Sequence, residues 1–266
     1  MLFAVDIDGT VARYEPGEKS LIRYINRELG LGIPDSRLAE FRCSSLTANP
    51  ELQTLMTYSE ETRVEYEAYC QQYTLKGSPE VQAWLARSEQ HKKRYAEVLY
   101  ASQFDPDIQK AKVPISGAIE AIHQLALLGK VVYLTLRKPY SEQLTREWLE
   151  WYGFPSPDQA YCCEHFEFKY LKAYHHLQEG ESLTMVDDNI RSLIGRFPTL
   201  ARTHTDVAHS LLNRISFVLI GNQVLDPIPE KFQRFSIARI PTFASEQFDR
   251  WYKEVSRELA RQNALR

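Results

Sequence analysis

The segment Phe3-Ala4-Val5-Asp6-Ile7-Asp8-Gly9-Thr10-Val11 places the strongest constraint on what this chain can fold into. Three apolar residues in succession read as a strand buried on both faces, since a half-exposed strand would alternate. Asp6 and Asp8 follow two positions apart, so on a continuing strand their side chains point the same way. Gly9 then permits a tight turn, and Thr10 adds a hydroxyl. Carboxylates crowded at the mouth of a parallel strand are electrostatically costly unless a cation or a reaction uses them. The pattern therefore predicts a catalytic site at the strand's carboxyl end.

Three later segments repeat the theme of an apolar strand that ends in polar chemistry. Gly117 to Leu128 is an amphipathic run closed by Gly129 as a helix stop, and Lys130-Val131-Val132-Tyr133-Leu134-Thr135-Leu136-Arg137 follows as a β-branched strand ending in a hydroxyl. Lys169 stands at the head of a helix over Lys169 to Leu177, with Lys172 one turn further on. Leu183-Thr184-Met185-Val186-Asp187-Asp188-Asn189 is another apolar strand that delivers acids, after a turn at Gly180. Adjacent acids project to opposite faces, so one reaches an ion directly and the other supports it. An EF-hand is excluded, because the spacing of oxygen ligands and glutamate is not present.

In this order the four segments resemble the motifs of the haloacid dehalogenase-like hydrolase superfamily, most of whose members are phosphatases and phosphotransferases. The resemblance implies an α/β fold: a doubly wound, Rossmann-like parallel sheet with an α-helical cap inserted after the first strand. It implies Asp6 as nucleophile, Asp8 as acid and base, Thr135 as a phosphoryl hydrogen-bond donor and Lys169 (or Lys172) as the neutralising cation. Mg²⁺ would be held by Asp6, the backbone carbonyl of Asp8 and Asp188, with Asp187 as the supporting partner. Gly9 and Thr10 would line the phosphoryl site, and Arg137 would grip a second phosphate or a sugar oxygen. Dehalogenases of the superfamily have no acid at the position of Asp8, which favours phosphoester chemistry. The implied activity is hydrolysis of a small-molecule phosphomonoester through an aspartyl-phosphate. The alternatives are a nucleotide or nucleic-acid-end phosphatase, a mutase, and a non-catalytic binding protein on the same fold.

The length allows one large domain or a core with a smaller companion. The chain has 266 residues, 44% hydrophobic and 25% charged, and a formal net charge of −3, which offers nucleic acid no broad attraction. No apolar run approaches a membrane span, and Met1 to Val5 is interrupted by Asp6 too soon for a signal peptide. Cys43, Cys70, Cys162 and Cys163 lack zinc spacing and read as reduced thiols of a cytoplasmic protein, the last two in a loop. No motif fixes the oligomeric state.

Residues 14–112 read as a mainly helical insertion, dividing the chain into a core of 1–13 with 113–266 and a cap of 14–112. Helices are expected over Ser20 to Gly30, from Ser59, and from Ser78, with Asp105-Pro106-Asp107 and Val113-Pro114 as breaks. His91-Lys92-Lys93-Arg94 and tyrosines such as Tyr66, Tyr73 and Tyr95 would suit nucleotide stacking, or simply a solvated helix. None of Lys19, Lys76, Lys92 and Lys93 has a context that suggests Schiff-base chemistry. Beyond the last motif, a helix over Asn189 to Phe197 should stop at Pro198, with strands at Leu200 to Thr203, Ser216 to Gly221 and Phe235 to Ile240. A final helix from Ser245 to Arg261 puts Phe248, Trp251, Tyr252, Val255 and Leu259 on one face, which should dock on the core.

Overall fold

The computed structural model describes residues 1–13, 19–29, 34–38, 97–98, 101, 105–221 and 235–264. The chain divides into two compact units, Met1–Arg13 with Val113–Arg266, and Tyr14–Lys112. In the second unit the described residues include α1 (Lys19–Leu29), α2 (Asp35–Leu38) and α3 (Pro106–Ala111), with 97–98 and 101 also helical. The helices expected from Ser59 and Ser78, the basic and tyrosine-rich stretch, Cys43 and Cys70 lie outside the described residues. Asp105 is extended and Pro106-Asp107 opens a new helix. The Asp105 carboxylate accepts the N–H groups of Asp107 and Ile108 at 3.0 and 3.1 Å, and Pro106 occupies a first-turn position where its missing N–H costs nothing.

The first unit is built on a six-stranded parallel sheet. Its strands are β1 (Leu2–Val5), β4 (Lys130–Thr135), β5 (Ala160–Cys162), β6 (Leu183–Asp187), β7 (Ile215–Ile220) and β8 (Ser236–Ile240), in the spatial order β5-β4-β1-β6-β7-β8. The chain leaves the central strand β1 first to one side and then to the other, so the order reverses between β4 and β6. In such doubly wound sheets ligands bind at the carboxyl ends of the strands beside that reversal. A small antiparallel pair, β2 (Ala12–Arg13) with β3 (Val113–Pro114), ties together the points where the chain leaves and re-enters this unit.

Helices cover both faces, as a sheet of continuous apolar strands requires. Phe3, Val5, Val131, Tyr133, Val186 and Val218 face α4 (Ala118–Leu128), α5 (Glu142–Trp151) and α9 (Glu246–Ala264). Leu2, Ala4, Val132, Leu134, Met185 and Phe217 face α6 (Phe166–His176), α7 (Ile190–Thr203) and α8 (Thr205–Leu212). Burial of side chains as large as Phe3, Phe217 and Phe248 contributes about 1.5–3 kcal/mol each. Phe248, Trp251, Tyr252 and Val255 of α9 pack on the core as the sequence predicts.

Three local expectations change. Helix α7 continues through Pro198 to Thr203, so Leu200 to Thr203 is helix and not strand. An interior proline costs about 3 kcal/mol, but Ile194, Phe197 and Leu200 on either side of it are all buried in the core. Cys162 ends β5 and is half-buried, whereas Cys163 stands in the loop as expected but is fully enclosed, and burial pushes the two thiols up to about 11 and about 12. Gly129 closes α4 as the sequence predicts, with its backbone extended. It is required because a Cβ there would lie 2.3 Å from the Met1 carbonyl oxygen, the same oxygen that accepts the Lys130 N–H and helps set the β1–β4 register. Helix α6 begins at Phe166, three residues before the expected head at Lys169.

Candidate active site

β1 ends at Val5, and the chain then coils into a turn in which the Ile7 carbonyl accepts from Thr10, Val11 and Ala12. Alternation along a strand therefore does not govern Asp8, and the two carboxylates separate toward different cations. Asp6 continues the parity of Leu2 and Ala4 toward the face covered by α6, and its N–H bonds to the Val186 carbonyl at 2.8 Å. Asp187 ends β6 on the same face, on the parity of Leu183 and Met185. In-register parallel pairing of Val5 with Val186 thus brings Asp6 level with Asp187.

Lys169, on the second turn of α6, enters between them. Its Nζ donates to Asp6 Oδ1 at 2.7 Å and to Asp187 Oδ2 at 2.9 Å, and all three residues are buried. The Tyr170 hydroxyl donates to the Leu193 carbonyl at 2.8 Å, fixing α6 against α7 one residue away. Lys172 is exposed and lies over the Tyr161 ring, so the helix rotation selects Lys169 as the residue that meets the carboxylates. Asp187 Oδ1 also accepts the Asn189 N–H at 2.7 Å, so both its oxygens are engaged.

Asp188 is held by Thr10. The Thr10 hydroxyl oxygen accepts the Asp188 N–H at 3.0 Å, and the hydroxyl lies 3.2 Å from Asp188 Oδ1 and 3.5 Å from Asp6 Oδ2. Having one proton, it can donate to one of the two oxygens at a time, and Asp188 is the nearer. Thr10 is fully buried, so the structure gives it the work of aligning carboxylates. Gly9 is left-handed at φ 86°, and a Cβ there would sit 2.3 Å from Asp188 Oδ2. The glycine is a steric necessity of the acid's position. Gly9→Ala should displace Asp188 and weaken Mg²⁺ binding about tenfold or more by calorimetry, a loss in the range of altered metal-site support.

One oxygen each from Asp6, Asp187 and Asp188 lie within 4.8 Å of one another. Three acids around the Lys169 ammonium leave an excess of negative charge in a poorly hydrated place. Burial pushes the Asp6 carboxyl up to about 8; Lys169 pulls it back, while Asp187 and Asp188 add to the rise. Burial, and then Asp187, push Asp188 up to about 6. Burial opposes the Lys169 charge, but Asp6 and Asp187 more than offset it and hold the ammonium protonated. An all-oxygen donor set with surplus negative charge fits a hard divalent cation such as Mg²⁺.

Asp8 faces the other way across the site, to Arg137. The guanidinium donates from Nε to Asp8 Oδ2 and from Nη2 to Asp8 Oδ1, both at 2.8 Å. Its Nη1 donates to Thr145 Oγ1 at 3.1 Å, and Thr145 in turn donates to the Ser141 carbonyl at 2.8 Å. Arg137 is 4% exposed. Its guanidinium, expected from the sequence to meet substrate, is directed at Asp8 and α5. Burial works against its charge, and Asp8 more than compensates. Thr135 closes β4 as expected, buried, with its hydroxyl oxygen accepting the Arg137 N–H at 3.4 Å. The carbonyl of Thr135 accepts the Cys163 N–H at 2.7 Å, which extends the β4–β5 pairing to the edge of the site. Sequence reasoning missed α5 and Thr145. The run Glu142 to Trp151, with Thr145, Trp148 and Leu149 at helical spacing, was the available signal.

No family model matches the sequence, and no curated protein matches it. Solved structures do resemble it. A haloacid dehalogenase-like family hydrolase from Xanthomonas campestris is 14% identical over 98% of both chains, with a TM-score of 0.47. A haloacid dehalogenase-like hydrolase from Burkholderia xenovorans LB400 is 16% identical over 97% of both chains, with a TM-score of 0.47. A HAD family hydrolase from Deinococcus radiodurans R1, with bound phosphate and sodium, is 13% identical over 97% of this chain and 96% of that one, with a TM-score of 0.38.

Proposed function

We propose that this protein is a Mg²⁺-dependent phosphohydrolase of the haloacid dehalogenase-like type, acting on a small-molecule phosphomonoester. One observation carries the reading: at the point where the strand order reverses, Asp6 meets Lys169 at 2.7 Å inside a cluster with Asp187 and Asp188, while Asp8 is held separately by Arg137. Two carboxylates in unlike surroundings suit unlike roles. Asp6 attacks phosphorus, forming the aspartyl-phosphate bond as the phosphorus–oxygen bond to the leaving alkoxide breaks. Asp8, in its protonated form, gives its proton to that alkoxide. Water then attacks phosphorus, its proton passes to the Asp8 carboxylate, and the bond to Asp6 breaks to release phosphate.

The rest of the site serves charge and position, which dominate phosphoryl transfer. The Lys169 ammonium lies on Asp6 Oδ1 and offsets charge as the phosphoryl group arrives. The Thr135 hydroxyl keeps its proton free to donate, because the bond it makes to Arg137 uses an oxygen lone pair. Mg²⁺, held by Asp6, Asp188 and the Asp8 carbonyl with Asp187 in support, would supply positive charge to the phosphoryl oxygens and keep Asp6 ionised.

A dehalogenase is the rival hydrolase. Displacement of halide by a carboxylate releases an anion that needs no proton, so an acid held beside the nucleophile has no place in it. The deciding experiment compares phosphate release from p-nitrophenyl phosphate and glycerol phosphates, with Mg²⁺ and with EDTA, against chloride release from 2-chloropropionate. Mg²⁺-dependent phosphate release without chloride release is expected; the reverse pattern would replace phosphatase with dehalogenase.

A further inference from the structure

We infer that Arg137 is the positioning residue for the acid: it holds Asp8 in the orientation from which its proton reaches the leaving oxygen, and does not bind substrate. The inference rests on the phosphohydrolase reading and adds to it the residue that makes Asp8 usable. Asp8 sits in a turn beyond the end of β1, so the strand does not fix its rotamer. Its side chain is 36% exposed, against 3% for Arg137. For a catalytic acid a misplacement of about 1 Å can cost a hundredfold in rate. The Arg137 fork sets that placement: two parallel bonds of 2.8 Å fix both the position and the plane of the carboxylate.

The fork is itself anchored. Nη1 is tied to Thr145, and Thr145 to the Ser141 carbonyl at the start of α5. The Arg137 N–H is tied to the hydroxyl of Thr135 at the end of β4. Asp8 is thereby referenced to a strand and a helix, 129 residues away in sequence from its own turn. Lysine could not do the same. An ammonium is a compact point charge without a planar pair of donors, so it would keep the charge and lose the orientation.

The test exploits the leaving group. Nitrophenolate departs without a proton, whereas an alkoxide needs one, so in the first step damage to Asp8 as acid falls on alkyl esters. Hydrolysis of the aspartyl-phosphate, in which Asp8 takes a proton from water, is common to both esters, so the comparison is made on leaving-group release in a single turnover. Arg137→Lys is expected to lower the single-turnover rate of glycerol release from glycerol phosphate about a hundredfold, the scale of general-acid assistance, with KM within about twofold and single-turnover release of nitrophenol from p-nitrophenyl phosphate slowed less than about threefold. In an Asp8→Asn background the same substitution should add no further loss. Thr145→Val, which removes the anchor and leaves both charges, should show the same leaving-group pattern at about fivefold, and carries the test if Arg137→Lys does not fold. Magnesium titrations of each variant by calorimetry should match wild type, showing the carboxylate cluster intact. Equal losses in the two single-turnover release rates, a rise in KM, or a loss that adds to Asp8→Asn would overturn the inference while the phosphohydrolase reading stands. Failure of the wild type to hydrolyse either ester would overturn the reading, and the inference with it.

Discussion

The Asp6→Asn protein is expected to release phosphate at least about ten-thousandfold more slowly than wild type, while melting at the same temperature or up to about 5 °C higher. Loss of turnover follows from removal of the attacking oxygen's charge. Retained or increased stability follows from the electrostatics of the cluster. Asp6 is buried, and its carboxyl is pushed up to about 8, so at neutral pH without metal its ionised form is unfavourable in the folded state. An amide of the same shape removes that cost and still offers an oxygen to Lys169. Calorimetric melting beside a phosphate-release assay checks both halves. Full activity would remove Asp6 from the mechanism, and a collapse in melting temperature would mean that its charge is structural.

Lys169→Met should act in the opposite direction on stability. It removes the ammonium that bonds Asp6 at 2.7 Å and Asp187 at 2.9 Å, and leaves two buried carboxylates without it. Breaking a buried ion pair from one side costs about 3–5 kcal/mol, so denaturant midpoints should fall markedly and turnover should be lost with them. The pH dependence separates this from a packing defect. Asp6 and Asp188 both have folded-state values above 3.8, at about 8 and about 6. The folded state therefore holds their protons more tightly than the unfolded chain does. The stability they contribute is fully present below about pH 4 and is lost as pH rises through about 6 and then about 8. Metal-free wild type should lose melting temperature across this window, Lys169→Met should lose more, and Mg²⁺ should restore wild type more at the alkaline end than at the acid end. A flat profile for both proteins would contradict the charge balance of the cluster.

Much of the site was legible because its signals are local. Asp6 and Asp8 after an apolar strand, Gly9 in a turn, Thr135 at the end of β4 and Asp187-Asp188 after β6 are each readable within about ten residues, through strand burial and turn chemistry. Local rules were least dependable where burial overrode them. Pro198 did not stop α7, because apolar residues on both sides of it fill the core.

Which charges meet was decided by tertiary structure alone. Lys169 and Lys172 are equivalent in sequence, one turn apart; only the rotation of α6, fixed by Tyr170 and Ala173 in the core, sends Lys169 to Asp6 and leaves Lys172 exposed. Arg137 looked like a substrate ligand because a cation beside a phosphoryl site invites that role, yet its fork closes on Asp8. These pairs join residues 163 and 129 positions apart, and their geometry depends on strand order, register and helix rotation together. A sequence read locally determines that carboxylates are delivered to the carboxyl end of a parallel sheet. The packing of helices on that sheet decides which cation each one faces: Lys169 for Asp6 and Arg137 for Asp8.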